Sequence, residues 1–243
     1  MKTRDISLEV LLDAAALARR VADWMLELAR AADGPFAVAL SGGTTPRATY
    51  SLLATPFYRE RLPWARVHWF WGDERFVPHD DPRSNYRMAW DAMLSQAPVP
   101  AANIHRVPVE GTTPQQAALA YERALKTFYG AAQFDPARPL FEINLLGLGE
   151  DGHFASLFPG SEALTERTHW AAPTIGVQPE ARITLTYPAL ESCRHAAFVV
   201  CGAAKSTVLR RVRAGDPNLP ASQFRPIGDM RIFADESAAG ERA

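Results

Sequence analysis

Asp151 and His153 stand two residues apart inside the run Asn144–Gly160, NLLGLGEDGHFASLFPG. A carboxylate beside an imidazole is an acid–base pair: the imidazole can take a proton near neutral pH, and the carboxylate can orient it and offset the charge it gains. The pair follows an apolar run with Phe141, Ile143, Leu145, Leu146 and Leu148, broken by Gly147, Gly149 and Gly152. In an open α/β sheet the end of a buried strand is where the chain meets ligand. A core histidine satisfied by a carbonyl is the plainer role for His153, and Asp151 and Gly152 as neighbours weigh against it. His68, His105, His169 and His195 lack such surroundings and are read as structural or surface residues.

The three glycines fit G-x-G-x-x-G, but that spacing signifies a dinucleotide site only when a helix and a distant acid follow. Pro159 and Gly160 cut that helix short, and no Val/Ile-rich strand leads to Glu166. A nicotinamide cofactor is therefore not expected. The glycines instead free the backbone around Asp151 and His153, or offer N–H groups to an anion.

Other strand ends carry chemistry too. Ser41-Gly42-Gly43-Thr44-Thr45-Pro46 is a strand-to-helix turn of small residues, which aims N–H groups at one point and suits a phosphate. It lacks the triphosphate-binding G-x-x-x-x-G-K-[ST] pattern, and a tight turn with a capping threonine is the alternative. In Trp71-Gly72-Asp73-Glu74-Arg75, Arg75 can clamp an anion or stabilise developing negative charge; a salt-bridged loop is equally compatible. Asp80, Asp81, Arg83 and Asn85 read as a solvated face, and His79 with Asp80 and Asp81 matches no metal-ligand spacing. Lys205, after Gly202-Ala203-Ala204, stands at a helix start where it would add to anion binding.

The elements that must position these loops alternate. Strands are expected at Phe36–Leu40, Val67–Trp71, Ile104–Val109, Phe141–Leu148, Ile183–Thr186, Ala196–Cys201 and Arg231–Ala234. Helices are expected from a Ser7 cap to about Ala32, from a Thr45 cap with Pro46 first to about Ala54, and near Ser84–Gln96, Thr113–Tyr129 and Ala204–Ala214. Trp69, Phe70 and Trp71 read as core. This order implies a doubly wound, mainly parallel sheet with helices on both faces, whose strand-end loops at 41–45, 72–75 and 149–153 converge on one cleft.

Whole-chain features set the class. The 243 residues are 47% hydrophobic and 22% charged with net charge −1, ordinary for a globular protein and unlike a general nucleic-acid or membrane-surface binder. No apolar run is long enough to span a bilayer, and MKTRDISLEV lacks signal-peptide architecture. Cys193 and Cys201 read as reduced thiols of a cytosolic protein. No linker divides the chain, so one domain is expected, with Ser237–Ala243 as a frayed tail.

Taken together, these motifs resemble the 6-phosphogluconolactonase family. Leu40–Pro46, Trp71–Arg75, Asp81–Tyr86 (DPRSNY), Leu146–Pro159, Arg182–Thr186 (RITLT) and Gly202–Lys205 come in the family's order and span about residues 8 to 235. Phe154 departs from the small residue usual at its position, and the C-terminal strand lacks the family's Trp.

The resemblance implies a Rossmann-like fold and hydrolysis of 6-phospho-D-glucono-1,5-lactone to 6-phosphogluconate in the pentose phosphate pathway, with no metal or other cofactor. It implies His153 as the general base for water, oriented by Asp151. Arg75 and loop N–H groups would offset negative charge or hold the phosphate, and Gly42, Gly43, Thr44 and Lys205 would bind the 6-phosphate. Ser41 and Asn85 complete the expected substrate contacts. The expected partner is this small lactone alone, for a cytoplasmic monomer or weak homo-oligomer.

Glucosamine-6-phosphate deaminases share the fold and resemble the chain at SGGTTP and around DGH. They continue with a motif like AFNEP, and Phe158 stands here where its Glu would be. A silent sugar-phosphate binder would need the Gly42-Gly43 loop and Lys205, but not Asp151 and His153.

Overall fold

The computed structural model describes residues 6–240. Its first half forms β1 (Ser7–Leu11), α1 (Ala14–Ala31), β2 (Phe36–Leu40), α2 (Thr44–Leu53), α3 (Pro56–Arg59), β3 (Val67–Trp71), β4 (Asp73–Arg75), α4 (Asn85–Ala92) and α5 (Pro114–Tyr129). The second half forms β5 (Phe141–Leu146), β6 (Ala171–Thr174), β7 (Arg182–Leu185), α6 (Tyr187–Glu191), β8 (Cys193–Val200), α7 (Ser206–Arg213), α8 (Pro220–Gln223), β9 (Asp229–Asp235) and α9 (Glu236–Ala239).

A strand buried on both faces reads as a continuous apolar run, and β2 is buried at every position. It sits inside a six-stranded sheet ordered β1-β9-β8-β5-β2-β3, in which every pairing is parallel. Side chains alternate across a strand, so β3 shows how both faces are covered. Phe70 packs on Phe128 of α5, while Trp71 meets Tyr86 of α4. The doubly wound expectation is borne out.

Beyond β2 the chain crosses to β3 on one side; beyond β5 it proceeds to β8 on the other. Divergence of neighbouring strands opens a crevice at their carboxyl ends. Two buried tyrosines fix the ends of β2 and β3. Tyr50 Oη accepts from the Ser41 N–H and donates to the Ser41 carbonyl; Tyr121 does the same for Trp71. Burial pushes both phenols well above their ordinary pKa, so they remain neutral donors.

Four expectations need correction. Ser7 opens a strand, not a helix: β1 pairs with β9 at the sheet edge, and Asp13 caps α1 by accepting from the Ala16 N–H at 2.8 Å. Leu12, apolar in the helical reading, is 61% exposed. Ile104–Val109 forms no strand, only one bridge from Ile104 to Trp69; the Val107 carbonyl accepts from the His79 ring, and Pro108 has no N–H to give. The RITLT strand does not join the main sheet. It is β7, the centre of a small antiparallel sheet ordered β4-β7-β6, with Asp73 opposite Thr184 and Arg75 opposite Arg182. The tail is ordered as far as α9, where Asp235 caps and Ala238 is buried; residues 241–243 lie outside the described residues, as does the first half of the N-terminal run read for a leader.

Smaller shifts of boundary have local causes. Helix α2 begins at Thr44 with Gly43 as its cap, at φ 107° and without a side-chain cap bond, so Thr45 caps nothing. The Thr113 helix start is borne out, with a capping box to Gln116. Among the described residues, no helix is long and apolar enough to cross a membrane.

Candidate active site

The loops that follow β2, β3 and β5 meet as expected, in a cleft of about 220 Å³. Its walls include Ser41, Gly42, Gly43, Arg75, Asn85, His153 and Lys205. Thr44 lies just outside the lining, in the first turn of α2. Asp151 stands behind His153 rather than on the wall.

Asp151 Oδ1 accepts from the His153 backbone N–H at 3.1 Å and lies 2.5 Å from ring Nδ1. A carboxylate can only accept, so Nδ1 carries the proton in the neutral ring and Nε2 is left with its lone pair. Partial burial alone would raise the Asp151 carboxyl, but the His153 backbone and ring bonds outweigh it and hold Asp151 below the ordinary carboxylate range. The Gly149 N–H donates to the His153 carbonyl at 2.8 Å, and Phe158 packs on the ring with centroids 4.4 Å apart.

Gly149 makes room for this pair. A Cβ there would stand 2.0 Å from His153 Nδ1 and 2.7 Å from Asp151 Oδ1. The ring could swing away at small cost to the fold, but it would leave its place in the cleft. Gly149→Ala should therefore lower turnover by about 10²-fold, since a displacement near 1 Å can cost that much. Steady-state kinetics beside a melting curve would check it, with the melting point nearly unchanged.

Three cations share the cleft with His153: Arg75, Arg182 and Lys205. Arg75 Nη1 donates to the Arg83 carbonyl at 2.5 Å, while its buried Nε has no partner. Arg182 Nη1 lies 3.7 Å from Asp73 Oδ2, and its Nε is likewise buried and unpartnered. Burial pulls Arg182 below the ordinary guanidinium value; Asp73 opposes this and the charge of Arg75 adds to it. Lys205 is held only loosely, with Nζ 3.9 Å from Glu150. Three cationic side chains on one cleft can attract an anion. Gly42 and Gly43, the latter capping α2 without a side-chain bond, also line the cleft, and a helix start of this kind can offer N–H groups to an anion.

Glu74 gives the Arg75 loop its shape. Its buried carboxylate accepts from the backbone N–H groups of Arg75, Asn85 and Tyr86 and from Ser84 Oγ, capping α4 from outside that helix. Burial pushes Glu74 up to about 7, against the pull of those donors. The loop is thereby drawn inward. Asn85, read from sequence as part of a solvated face, is 2% exposed; its Nδ2 donates to the Asp73 carbonyl and its Oδ1, buried, has no partner.

Sequence reasoning left Asp73 undecided and did not select Arg182, yet both line the cleft. The available signal for Arg182 was a lone cation opening an apolar strand. Phe154, the departure from the small residue, is buried and packs among Tyr187, Phe198 and Phe224, so core packing accounts for its size. His79, set aside as a metal ligand, has both ring nitrogens engaged by Glu110 and the Val107 carbonyl.

Residues 12–232 match the family model for glucosamine-6-phosphate isomerases and 6-phosphogluconolactonase. The chain belongs to this family. A 6-phosphogluconolactonase of Nostoc sp. is 39% identical over 242 residues, which cover 97% of this chain and 98% of that protein. A solved structure of 6-phosphogluconolactonase from Trypanosoma cruzi superposes with a TM-score of 0.84 at 30% identity, covering 99% of this chain and 98% of that one. A monomeric glucosamine-6-phosphate deaminase also superposes, with a TM-score of 0.80 at 20% identity over 98% of this chain and 100% of that one, and shares the fold alone. Both activities thus occur on one scaffold, and the family's chemistry must be decided by side chains in the cleft.

Proposed function

We propose that the chain hydrolyses 6-phospho-D-glucono-1,5-lactone to 6-phospho-D-gluconate in the oxidative pentose phosphate pathway. The observation that carries this reading is a single cleft lined by His153, which Asp151 orients, and by the cations Arg75, Arg182 and Lys205. The names of the Nostoc and Trypanosoma cruzi relatives support the same substrate.

In this reaction His153 Nε2 takes a proton from water as its oxygen attacks the lactone C1 carbonyl. Asp151 stabilises the imidazolium that forms. The C1–ring oxygen bond of the tetrahedral intermediate then breaks, and His153 returns its proton to the departing ring oxygen as it becomes the C5 hydroxyl. The C1 carboxylic acid ionises to the product carboxylate. Arg182, Lys205, Gly42, Gly43 and the Thr44 turn hold the 6-phosphate, while Arg75 offsets charge on the carbonyl oxygen. Ser41 shapes the wall by accepting from the Gly147 N–H, and Asn85 lines the cleft beside the sugar.

Deamination of glucosamine 6-phosphate is disfavoured by Phe158. It stands where that chemistry would place a carboxylate, and it is buried against the His153 ring. We place residues 8–235 in one catalytic unit, a monomer or weak homo-oligomer, since one chain supplies every group named above. A cytoplasmic location fits Cys193 and Cys201, both free thiols.

The phosphate assignment has a direct test. Removing the 6-phosphate from the lactone should lower kcat/KM by about 10²-fold or more, as charge-assisted bonds are each worth roughly 1.5–3 kcal/mol. Equal kcat/KM for the two lactones would refute it, and turnover of glucosamine 6-phosphate would favour the deaminase.

A further inference from the structure

Ser156 lies three residues beyond His153, is completely buried and does not line the cleft. Each of its polar groups is tied to a different strand of the small sheet. Its Oγ donates to Asp73 Oδ2 of β4 at 2.6 Å. Its backbone N–H donates to Thr184 Oγ1 of β7 at 3.2 Å, and its carbonyl accepts from Thr174 Oγ1 of β6 at 3.1 Å.

The residue before it is conformationally unusual. Ala155 has φ 47°, the one positive value among the described non-glycine residues, and it lines the cleft. A Cβ makes the left-handed region unfavourable, and such residues persist only where their surroundings over-determine them. Ser156 supplies that constraint on one side. On the other, the 149–153 turn is pinned by the Gly149 N–H to the His153 carbonyl.

Asp73 links this anchor to the cations of the cleft. The oxygen that accepts from Ser156 also faces Arg182 Nη1 at 3.7 Å, and the Asp73 carbonyl accepts from Asn85. One residue of β4 thereby relates the base-bearing loop to the anion-binding wall.

We propose that Ser156 is a positioning residue: its triple attachment to the small sheet holds Ala155 in the left-handed conformation and so seats His153 in the cleft it shares with Arg75 and Arg182. The kinetic consequence rests on the lactonase reading; the seating of the ring does not.

The test is Ser156→Ala, examined by kinetics and by the ring ¹H–¹⁵N spectrum of His153, assigned against His153→Ala. The expected result is a fall in kcat of about 10- to 100-fold with KM little changed, because the base is displaced while the phosphate contacts persist. The His153 ring signals should shift or broaden in the free enzyme. Ala155→Gly added to Ser156→Ala should restore part of both, since glycine takes positive φ without penalty. A purely structural serine would lower the melting point and leave kcat and the ring signals as in wild type, which would overturn the proposal. So would failure of Ala155→Gly to restore either readout.

Should Ser156→Ala not fold, Thr174→Val removes one of the attachments at nearly constant volume. It should change kcat and the ring signals in the same direction by less, and wild-type values for both would count against the proposal. If wild type does not hydrolyse the lactone, the lactonase reading fails, and the ring spectra still decide whether Ser156 seats His153.

Discussion

His153→Ala should lower kcat for the phosphorylated lactone by about 10² to 10⁴-fold, the usual worth of a positioned general base. KM should change little. Every cation assigned to the phosphate sits on another segment: Arg182 on β7, and Lys205 before α7. The ring is 30% exposed and its main apolar neighbour is Phe158, so the melting point should fall only slightly. Stopped-assay kinetics corrected for spontaneous lactone opening would measure the loss. A drop confined to KM would transfer His153 from the chemistry to binding.

Asp151→Asn should be nearly as damaging, with kcat reduced by about 10² to 10⁴-fold, as when a dyad or triad loses the carboxylate that sets the imidazole tautomer. The side-chain size is kept, but an amide can turn its NH₂ toward Nδ1 and so favour the wrong tautomer. It also brings no charge to stabilise the imidazolium. The pH profile adds a second readout. Asp151 is held below the ordinary carboxylate range, so in wild type it is ionised wherever an imidazole titrates, and one acid limb is expected. Replacing the carboxylate should lower the plateau of that profile. An unchanged profile would mean that Asp151 does not act through His153.

Much of this site was legible because its chemistry concentrates at strand ends. Phe36–Leu40, Val67–Trp71 and Phe141–Leu146 are short, mostly buried and mostly apolar, and each hands directly to a glycine-bearing loop. Parallel order then brings those loops to one edge. What was not legible depends on pairing between distant segments. Arg182 reaches the cleft only because β7 pairs antiparallel with β4, setting Arg182 opposite Arg75. Asn85 looked solvated because nothing local reveals that the Glu74 carboxylate gathers the Asn85 and Tyr86 N–H groups and pulls the loop inward. At the N-terminus, Leu8, Leu11 and Leu12 fit helical spacing as well as any helix would. The open edge of β9 is satisfied by a strand there, and that edge is invisible to local periodicity.

The central claim is that this cleft hydrolyses a phosphorylated sugar lactone by base-assisted attack of water. Its most direct test is acid release from freshly generated 6-phosphogluconolactone at constant pH, with chelator present, by wild type and His153→Ala side by side. Wild type should exceed the spontaneous rate by orders of magnitude, and His153→Ala should fall most of the way back toward it. Spontaneous-rate opening with wild type, or full activity in His153→Ala, would contradict the account.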